Sequence, residues 1–310
     1  MNLEGLVRIK RLEVKGCSRL QGTPTKLPHL LERLSLPINQ QHTSPFSPFS
    51  MLSELRGLPL GTAQVTHELA LSQSFSCLTR LELNLADNLQ EIPFPLASVS
   101  HLRALTIWEA AGLKFLREDI GSKLQQLRQL HVHKPAELEE LPGSIAMLQR
   151  LTSLEIHALK LASLPDGIGS LSRLRTLDLS QCTALVHLPS SLMQLACLNS
   201  LHLTGCSIRI LPPNFERLTR LRTLDLDNCK DLEALREGIT QLKALRWLSV
   251  VALRSVGPFF SGPPTTAVTA LPHVPACLAL PCDVLHYASR PAALALPPAA
   301  LGQRAAPRGP

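Results

Sequence analysis

The feature that most constrains this chain is a leucine pattern that recurs about every 24 residues. The string L-x-x-L-x-L, with Ile or Val in place of the last leucine in half of the regular copies, begins at intervals of 23 to 25 residues over more than half of the 310 positions. Weaker copies begin at Ile9, Leu31 and Leu55, which gives about eleven units between residues 1 and 250. A period of this length is typical of a solenoid of stacked repeats. The regular units start at Leu78, Leu102, Leu127, Leu151, Leu174, Leu198, Leu221 and Leu245.

Each repeat contains two shorter periods. In the unit that begins at Leu174, LRTLDLSQCTALVHLPSSLMQLAC, apolar and polar residues first alternate, which predicts a strand with one buried face. In the second half of the units, apolar residues recur every third position, which predicts a helical or 3₁₀ turn. Proline after leucine, or after Ile92 in one unit, suits the bend before that turn, since its φ is fixed and it lacks an N–H. These prolines are Pro93, Pro142, Pro165, Pro189 and Pro212.

No single unit can bury its leucines, so neighbouring units must stack and share one apolar interior. The predicted fold is therefore an α/β solenoid with parallel strands on a concave face and short helical or 3₁₀ turns on the convex side. We expect degenerate repeats over residues 1–77 and regular repeats over 78–250. The ninth position of a unit holds a small polar residue, which we expect to reach free backbone groups in the buried turn. These residues are Cys17, Asn39, Cys182, Cys206 and Cys229.

The repeat pattern stops after Val250. The last sixty residues hold eleven prolines and thirteen alanines, with a single acid at Asp283, so neither period survives. We predict that residues 251–310 form a disordered tail, and its composition also fits a GC-rich gene read out of frame. A solenoid that stops without a polar cap leaves an apolar edge beside Leu242 and Leu245, which predicts self-association through this last repeat.

Composition narrows the classes of partner. The chain has 31 Lys and Arg against 24 Asp and Glu, a net charge of +7 that is spread along the sequence, so nucleic-acid binding is not expected. The amino-terminal stretch MNLEGLVRIKRLEVKGCSRL places charges among its apolar residues. It therefore resembles neither a secretory signal peptide nor a membrane anchor, and we expect no membrane partner. Four of the eight cysteines fall at one repeat phase, which favours reduced thiols over disulfides.

The outward positions of successive strands predict a binding surface on the concave face. Trp108, His133 and His157 occupy the same position on three adjacent predicted strands. Exposed tryptophan is a usual anchor of protein interfaces. The alternative is that Trp108 packs over the neighbouring strand and the histidines are only solvated. The predicted partner-binding residues are Trp108, His131, His133, Glu155, His157 and Asp178, with Arg128 and Arg175 from an arginine-lined rim.

No metal, cofactor or catalytic centre is predicted. His131, His133 and His157 could meet a zinc ion in tetrahedral geometry, but His-x-His on a strand is weak evidence, and no carboxylate or cysteine motif reinforces it. The sequence contains no G-x-S-x-G, H-E-x-x-H or C-x-x-C motif, and no G-x-G-x-x-G follows a predicted strand. The outward pair Asp225 and Asp227 fits a charged recognition surface better than two-carboxylate catalysis.

The repeat form C-x-x-L-x-x-L-P-x-x-I-x-x-L resembles the leucine-rich repeat family over some 240 residues. Within that family it is similar to the repeat domains of plant-pathogen type III effectors of the XopL and HpaF/HpaG (XopAE) kind, and to the repeat regions of plant intracellular immune receptors. Uniform repeat length and the absence of a P-loop string favour the effectors.

This resemblance implies a non-catalytic interaction module that is made in a bacterial cytosol and exported by a type III system into the host cell cytoplasm. There it would bind a host plant protein through the concave face. Two alternatives remain open. The chain would be the substrate-selecting part of an effector E3 ubiquitin ligase, or a fragment of a plant immune receptor.

Overall fold

A computed structural model describes residues 8–13, 31–35, 53–60, 77–85, 89–92, 96–108, 110–233, 235 and 237–251. The chain divides into two compact units, Met1–Leu278 and Ala279–Pro310, and all described residues belong to the first. The predicted tail beyond Val251, and the ninth-position residues Cys17 and Asn39, lie outside the described residues. Within these ranges no helix has the length and apolar character needed to cross a bilayer.

The described strands form one parallel sheet whose strand order follows the order of the chain, from β1 to β11. Each strand comes from one repeat and pairs with the strands of the repeats before and after it, as the leucine period predicts. The strands are β1 Arg11–Glu13, β2 Arg33–Ser35, β3 Glu54–Leu60, β4 Arg80–Leu85, β5 Ala104–Trp108, β6 Gln129–His133, β7 Ser153–His157, β8 Thr176–Asp178, β9 Ser200–His202, β10 Thr223–Asp225 and β11 Trp247–Ser249.

The second half of most described repeats contains a short 3₁₀ turn, as the three-residue spacing predicts. Pro142, Pro165 and Pro189 stand immediately before three of these turns, with φ of −63° to −66° and ψ of 142° to 145°. Their predicted place at the bend is confirmed. The turns are η1 Leu96–Val99, η2 Gly143–Met147, η3 Asp166–Ser170, η4 Ser190–Gln194, η5 Phe215–Arg217 and η6 Glu237–Gln241, and a four-residue α-helix, α1 Ile120–Lys123, replaces the turn in the repeat before η2.

The leucines of matching phase form one continuous core. Leu130, Leu154 and Leu177 pair in register on β6, β7 and β8, and each is fully buried. The core cluster runs from Leu31 to Leu245. Burying a leucine side chain contributes about 1.5–3 kcal/mol, so this stack is the main source of stability. The predicted repeat solenoid with parallel strands is confirmed.

The ninth-position cysteines contact the backbone of the preceding repeat. The thiols of Cys182, Cys206 and Cys229 donate to the carbonyl oxygens of Ile156, Leu179 and Leu203, each at 3.1 Å. Burial raises the pKa of the Cys182 and Cys229 thiols to about 11 and also raises that of Cys206. The predicted structural role is confirmed for these three residues.

The predicted start of one degenerate repeat is wrong. The sequence pattern sets Leu55 at the first leucine of its unit, equivalent to Leu78, but the sheet pairs Leu55 with Leu81. The next pair is Leu58 with Leu83, so β3 absorbs one extra residue as a bulge. Because of that extra residue, the leucines of ELRGLPL imitate the L-x-x-L-x-L spacing in a shifted phase.

Candidate binding face

The solvent-facing side of the sheet carries two rows of side chains that run across the strands. On β6, Leu130 and Val132 are buried, whereas His131 and His133 point to the other face and are partly exposed. We call the first row the acid–histidine row; it consists of His131, Glu155, Asp178, His202 and Asp225, paired in register from β6 to β10. The second row, the aromatic row, consists of Trp108, His133 and His157 on β5, β6 and β7.

The aromatic row is a stack of rings. The Trp108 and His133 rings lie parallel, with centroids 4.0 Å apart and an interplanar angle of 14°. His157 meets His133 edge-on, with centroids 5.0 Å apart, and their Nδ1 atoms are 3.3 Å from each other. Trp108 packs over the neighbouring strand, yet 41% of it remains exposed. The stack therefore orders the tryptophan and still presents it to solvent.

His131 and Glu155 lie side by side at the start of the acid–histidine row. His131 Nε2 is 3.3 Å from Glu155 Oε1 and 3.2 Å from the hydroxyl of Ser153. That hydroxyl donates a 3.1 Å hydrogen bond to Glu155 Oε1. One donor atom each from His131, His133 and Glu155 all lie within 4.8 Å of one another. The His-x-His motif of β6 contains no carboxylate, but Glu155 on the neighbouring strand β7 places one beside the two histidines.

His157 and Asp178 connect the two rows diagonally. Nε2 of His157 is shielded from solvent and forms no hydrogen bond within the described part of the chain, but it lies 3.4 Å from Asp178 Oδ1, and the two form an ion pair when the imidazole is protonated. The same oxygen accepts a 2.9 Å hydrogen bond from the backbone N–H of Ser180. Burial would raise the pKa of Asp178, but the contacts with His157 and Ser180 outweigh it and lower the pKa to about 2.

The acid–histidine row continues beyond the predicted site to His202 and Asp225. His202 Nδ1 lies 3.9 Å from Asp225 Oδ2, and Asp225 Oδ1 accepts a hydrogen bond from the backbone N–H of Asp227. Asp227 in turn accepts from the hydroxyl of Ser249 at 2.7 Å. The sequence did place His202 at the outward position, but nothing in the pattern distinguished it as part of the binding patch. The two aspartates are engaged in the turns after β10.

The four histidines of the face fall into two electrostatic classes. Burial lowers the pKa of His131 and His133 below the ordinary histidine value, so both are neutral at pH 7. The adjacent Asp178 raises the pKa of His157, and Asp225 raises that of His202, in each case against the effect of burial. The face therefore carries two neutral histidines, His131 and His133, next to two histidines, His157 and His202, that become charged beside aspartates as the pH falls.

The predicted arginine rim lies apart from these contacts. Arg128 and Arg175 are exposed at the starts of β6 and β8, and neither side chain forms an ion pair within the described residues. Their backbone groups belong to the strand ladder, where Arg128 N–H donates to Arg103 O at 2.7 Å.

A second exposed tryptophan, Trp247 on β11, was not among the predicted residues although 43% of it is exposed. Its outward phase in the last repeat could have identified it.

Comparison with known proteins supports the leucine-rich repeat fold. A family model described as a leucine-rich repeat region matches residues 166–260. A leucine-rich repeat protein of Leptospira interrogans is 21% identical with a TM-score of 0.56, over 80% of this chain and 69% of that chain. The leucine-rich repeat domain of the type III effector XopL is 26% identical with a TM-score of 0.54, over 79% of this chain and 77% of that one.

No curated protein sequence matches the chain. The fold is thus that of a leucine-rich repeat protein, an architecture whose extended sheet face serves as a binding surface for protein partners. No catalytic family is indicated by these similarities.

Proposed function

We propose that this chain is a type III effector repeat domain that enters a host plant cell and binds a host protein through the aromatic and acid–histidine rows. The observation that carries the proposal is the ordered, half-exposed ring stack of Trp108 on His133 beside the charged row. The similarity to the repeat domain of XopL, a type III effector, supports the effector role. The repeat form of the sequence supports a plant host.

The physical properties of the face fit a protein partner. Trp108 is held by its stack on His133, so little conformational entropy is lost when a partner covers it. From β5 to β11 the sheet spans six strand spacings, about 29 Å at ~4.8 Å each, which matches a protein epitope better than a small molecule.

Charge completes the argument for a protein partner. On this face His157 and His202 lie beside Asp178 and Asp225, whereas the exposed Arg128 and Arg175 form no ion pair within the described ranges. Positive charges at the rim of an interface accelerate association and favour partners of opposite charge. We therefore expect the partner to present an acidic border around an apolar or hydrogen-bonding centre that covers Trp108.

Capture from plant extract, followed by affinity measurement with the purified partner, tests the binding proposal. Trp108→Ala should weaken binding by about 2 kcal/mol or more, roughly thirtyfold, because it removes the exposed anchor. Phe115→Ala is the matched control, since Phe115 is 44% exposed but lies outside the strands of the sheet. A partner that binds the Trp108→Ala and Phe115→Ala variants with equal affinity would refute the assignment of this face.

Export is tested separately. The full chain with a translocation reporter at its carboxyl terminus should deliver the reporter into plant cells from a bacterium with a working type III system, and not from a matched strain without one. Delivery in both strains, or in neither, would contradict the effector role and leave the binding result unaffected.

A further inference from the structure

We propose that His131, His133 and Glu155 form a binding site for a divalent transition-metal ion, of which Zn²⁺ is the representative, on the face of the sheet. These three residues belong to the face assigned to the protein partner, but binding of the ion does not require that partner. Two imidazoles and a carboxylate are a donor set that zinc uses in proteins, with a fourth position left to water or another side chain. Nothing in the leucine repeat requires these three residues to meet, because all three are outward positions that the core does not use.

The distances between the donor atoms already approach those of a tetrahedral site. Zinc–ligand distances of about 2.0–2.1 Å place two ligand atoms about 3.3–3.4 Å apart. His131 Nε2 and Glu155 Oε1 are 3.3 Å apart, and the donor atoms of all three residues lie within 4.8 Å of one another. The longest separation must shorten by about 1.4 Å, which side-chain rotation supplies because the backbone register already sets these residues on adjacent strands.

The surroundings of the site suit a metal ion. His157 Nδ1 is 3.3 Å from His133 Nδ1, so His157 offers a fourth nitrogen, and water is the other candidate for that position. Two ring nitrogens at this distance form a hydrogen bond only when one of them carries a proton. The Ser153 hydroxyl donates to Glu155 Oε1 and orients the carboxylate, which is the role of an outer-shell partner in metal sites.

The protonation states also favour binding. A histidine must lose its proton before a ring nitrogen can bind a metal. Burial lowers the pKa of both His131 and His133, so their lone pairs are available at pH 7. The side chains of His131 and Glu155 are only 19% and 27% exposed, which shields the ligands from water while leaving the site open to an ion from solvent.

Calorimetric titration of the full chain with ZnCl₂, and of the same protein with Co²⁺ followed by absorption, tests the site. We expect one ion per chain and a tetrahedral cobalt spectrum. His131→Gln, His133→Gln and Glu155→Gln should each weaken binding by more than about tenfold, since even outer-shell changes cost 10- to 100-fold. His202→Gln is the matched control, a face histidine with a carboxylate neighbour but outside the cluster.

Binding that survives any one of the three cluster substitutions, or the absence of stoichiometric binding by the unmodified chain, would overturn the proposal. A sulfur-to-cobalt charge-transfer band would also overturn it, because it would place the ion on cysteines. A measurement without substitutions guards against a variant that does not fold. Zn²⁺ should protect His131 and His133 from carbethoxylation, read by mass spectrometry, while the exposed His101 and His187 stay reactive.

Discussion

The tight stacking of the 3₁₀ turns predicts that alanine destabilises the protein at Gly169 but not at Gly143. Gly169 lies in η3, where an added Cβ would be 2.2 Å from the carbonyl oxygen of Ser191 and 3.0 Å from Gln194 Oε1. Gly143 lies in η2, where an added Cβ would meet nothing within 4 Å. Both glycines occupy 3₁₀ turns of neighbouring repeats, so the pair isolates the effect of contact with the next repeat.

The magnitude follows from which atom must move. The obstacle at Gly169 is backbone of η4, so relieving the overlap displaces that turn by about 1 Å rather than one flexible side chain. Overpacking of this kind costs about 1–3 kcal/mol, and the backbone contact favours the upper end. Removing glycine recovers about 0.4–1 kcal/mol through the unfolded chain. We therefore expect Gly169→Ala to destabilise the protein by about 2 kcal/mol, and Gly143→Ala to be neutral or slightly stabilising.

Urea unfolding of the full chain, followed by far-ultraviolet circular dichroism, measures both free energies. Gly121→Ala is an independent repeat of the test, since its Cβ would lie 1.7 Å from the carbonyl oxygen of Ser144. The reasoning fails if Gly169→Ala unfolds within about 0.5 kcal/mol of the unmodified chain, a shift ordinary for surface positions, or if Gly143→Ala costs as much as Gly169→Ala.

Two further predictions concern titratable groups. Asp178→Asn should lower the free energy of unfolding by up to about 2 kcal/mol, because the carboxyl pKa falls from 3.8 to about 2 on folding. The stability that Asp178 contributes is fully present above pH 3.8 and is lost as the pH falls towards 2. The stability that His157 contributes is fully present below pH 6.5, its unfolded pKa, and is lost as the pH rises through the raised pKa of the folded protein. The difference between the variant and the unmodified chain should thus be largest between about pH 4 and 6.5 in urea titrations, and a difference independent of pH would contradict the pairing. The second prediction concerns the described cysteines and a thiol reagent at pH 8. Cys77 and Cys197 should react rapidly, whereas the buried Cys182, Cys206 and Cys229 should react only after unfolding. The thiolate is the reactive form, and burial raises the pKa of these three thiols. Fast reaction of all five cysteines would refute this prediction.

The leucine phase predicts which residues share a face but not which side chains pair. It correctly set His131 and His133 outward on one strand, because the alternation of a strand with one buried face leaves no other choice. It did not predict that His157 contacts Asp178 diagonally on β8, in addition to His133, the residue level with it on β6. That contact depends on side-chain rotamers, which the repeat period does not specify.

The error at Leu55 has a similar origin. A bulge adds one residue to β3, and leucines spaced by three and two then satisfy the motif in the wrong phase. Spacing alone cannot distinguish a true unit start from such a copy, because the distinction depends on pairing with β4. Trp247 is a different kind of omission. The leucine phase correctly predicts that its side chain points to solvent, but it was not chosen as a binding residue.

The strictly sequential order of the strands makes the length of the surface adjustable. Each strand from β1 to β11 pairs only with its neighbours in the chain, so no contact of the sheet joins distant repeats. Duplication or deletion of one 24-residue segment in the DNA would therefore lengthen or shorten the docking area by a single step of ~4.8 Å and leave the remaining pairs intact. The number of modules thus sets the size of the exposed sheet face, and it can change without repacking the modules that remain.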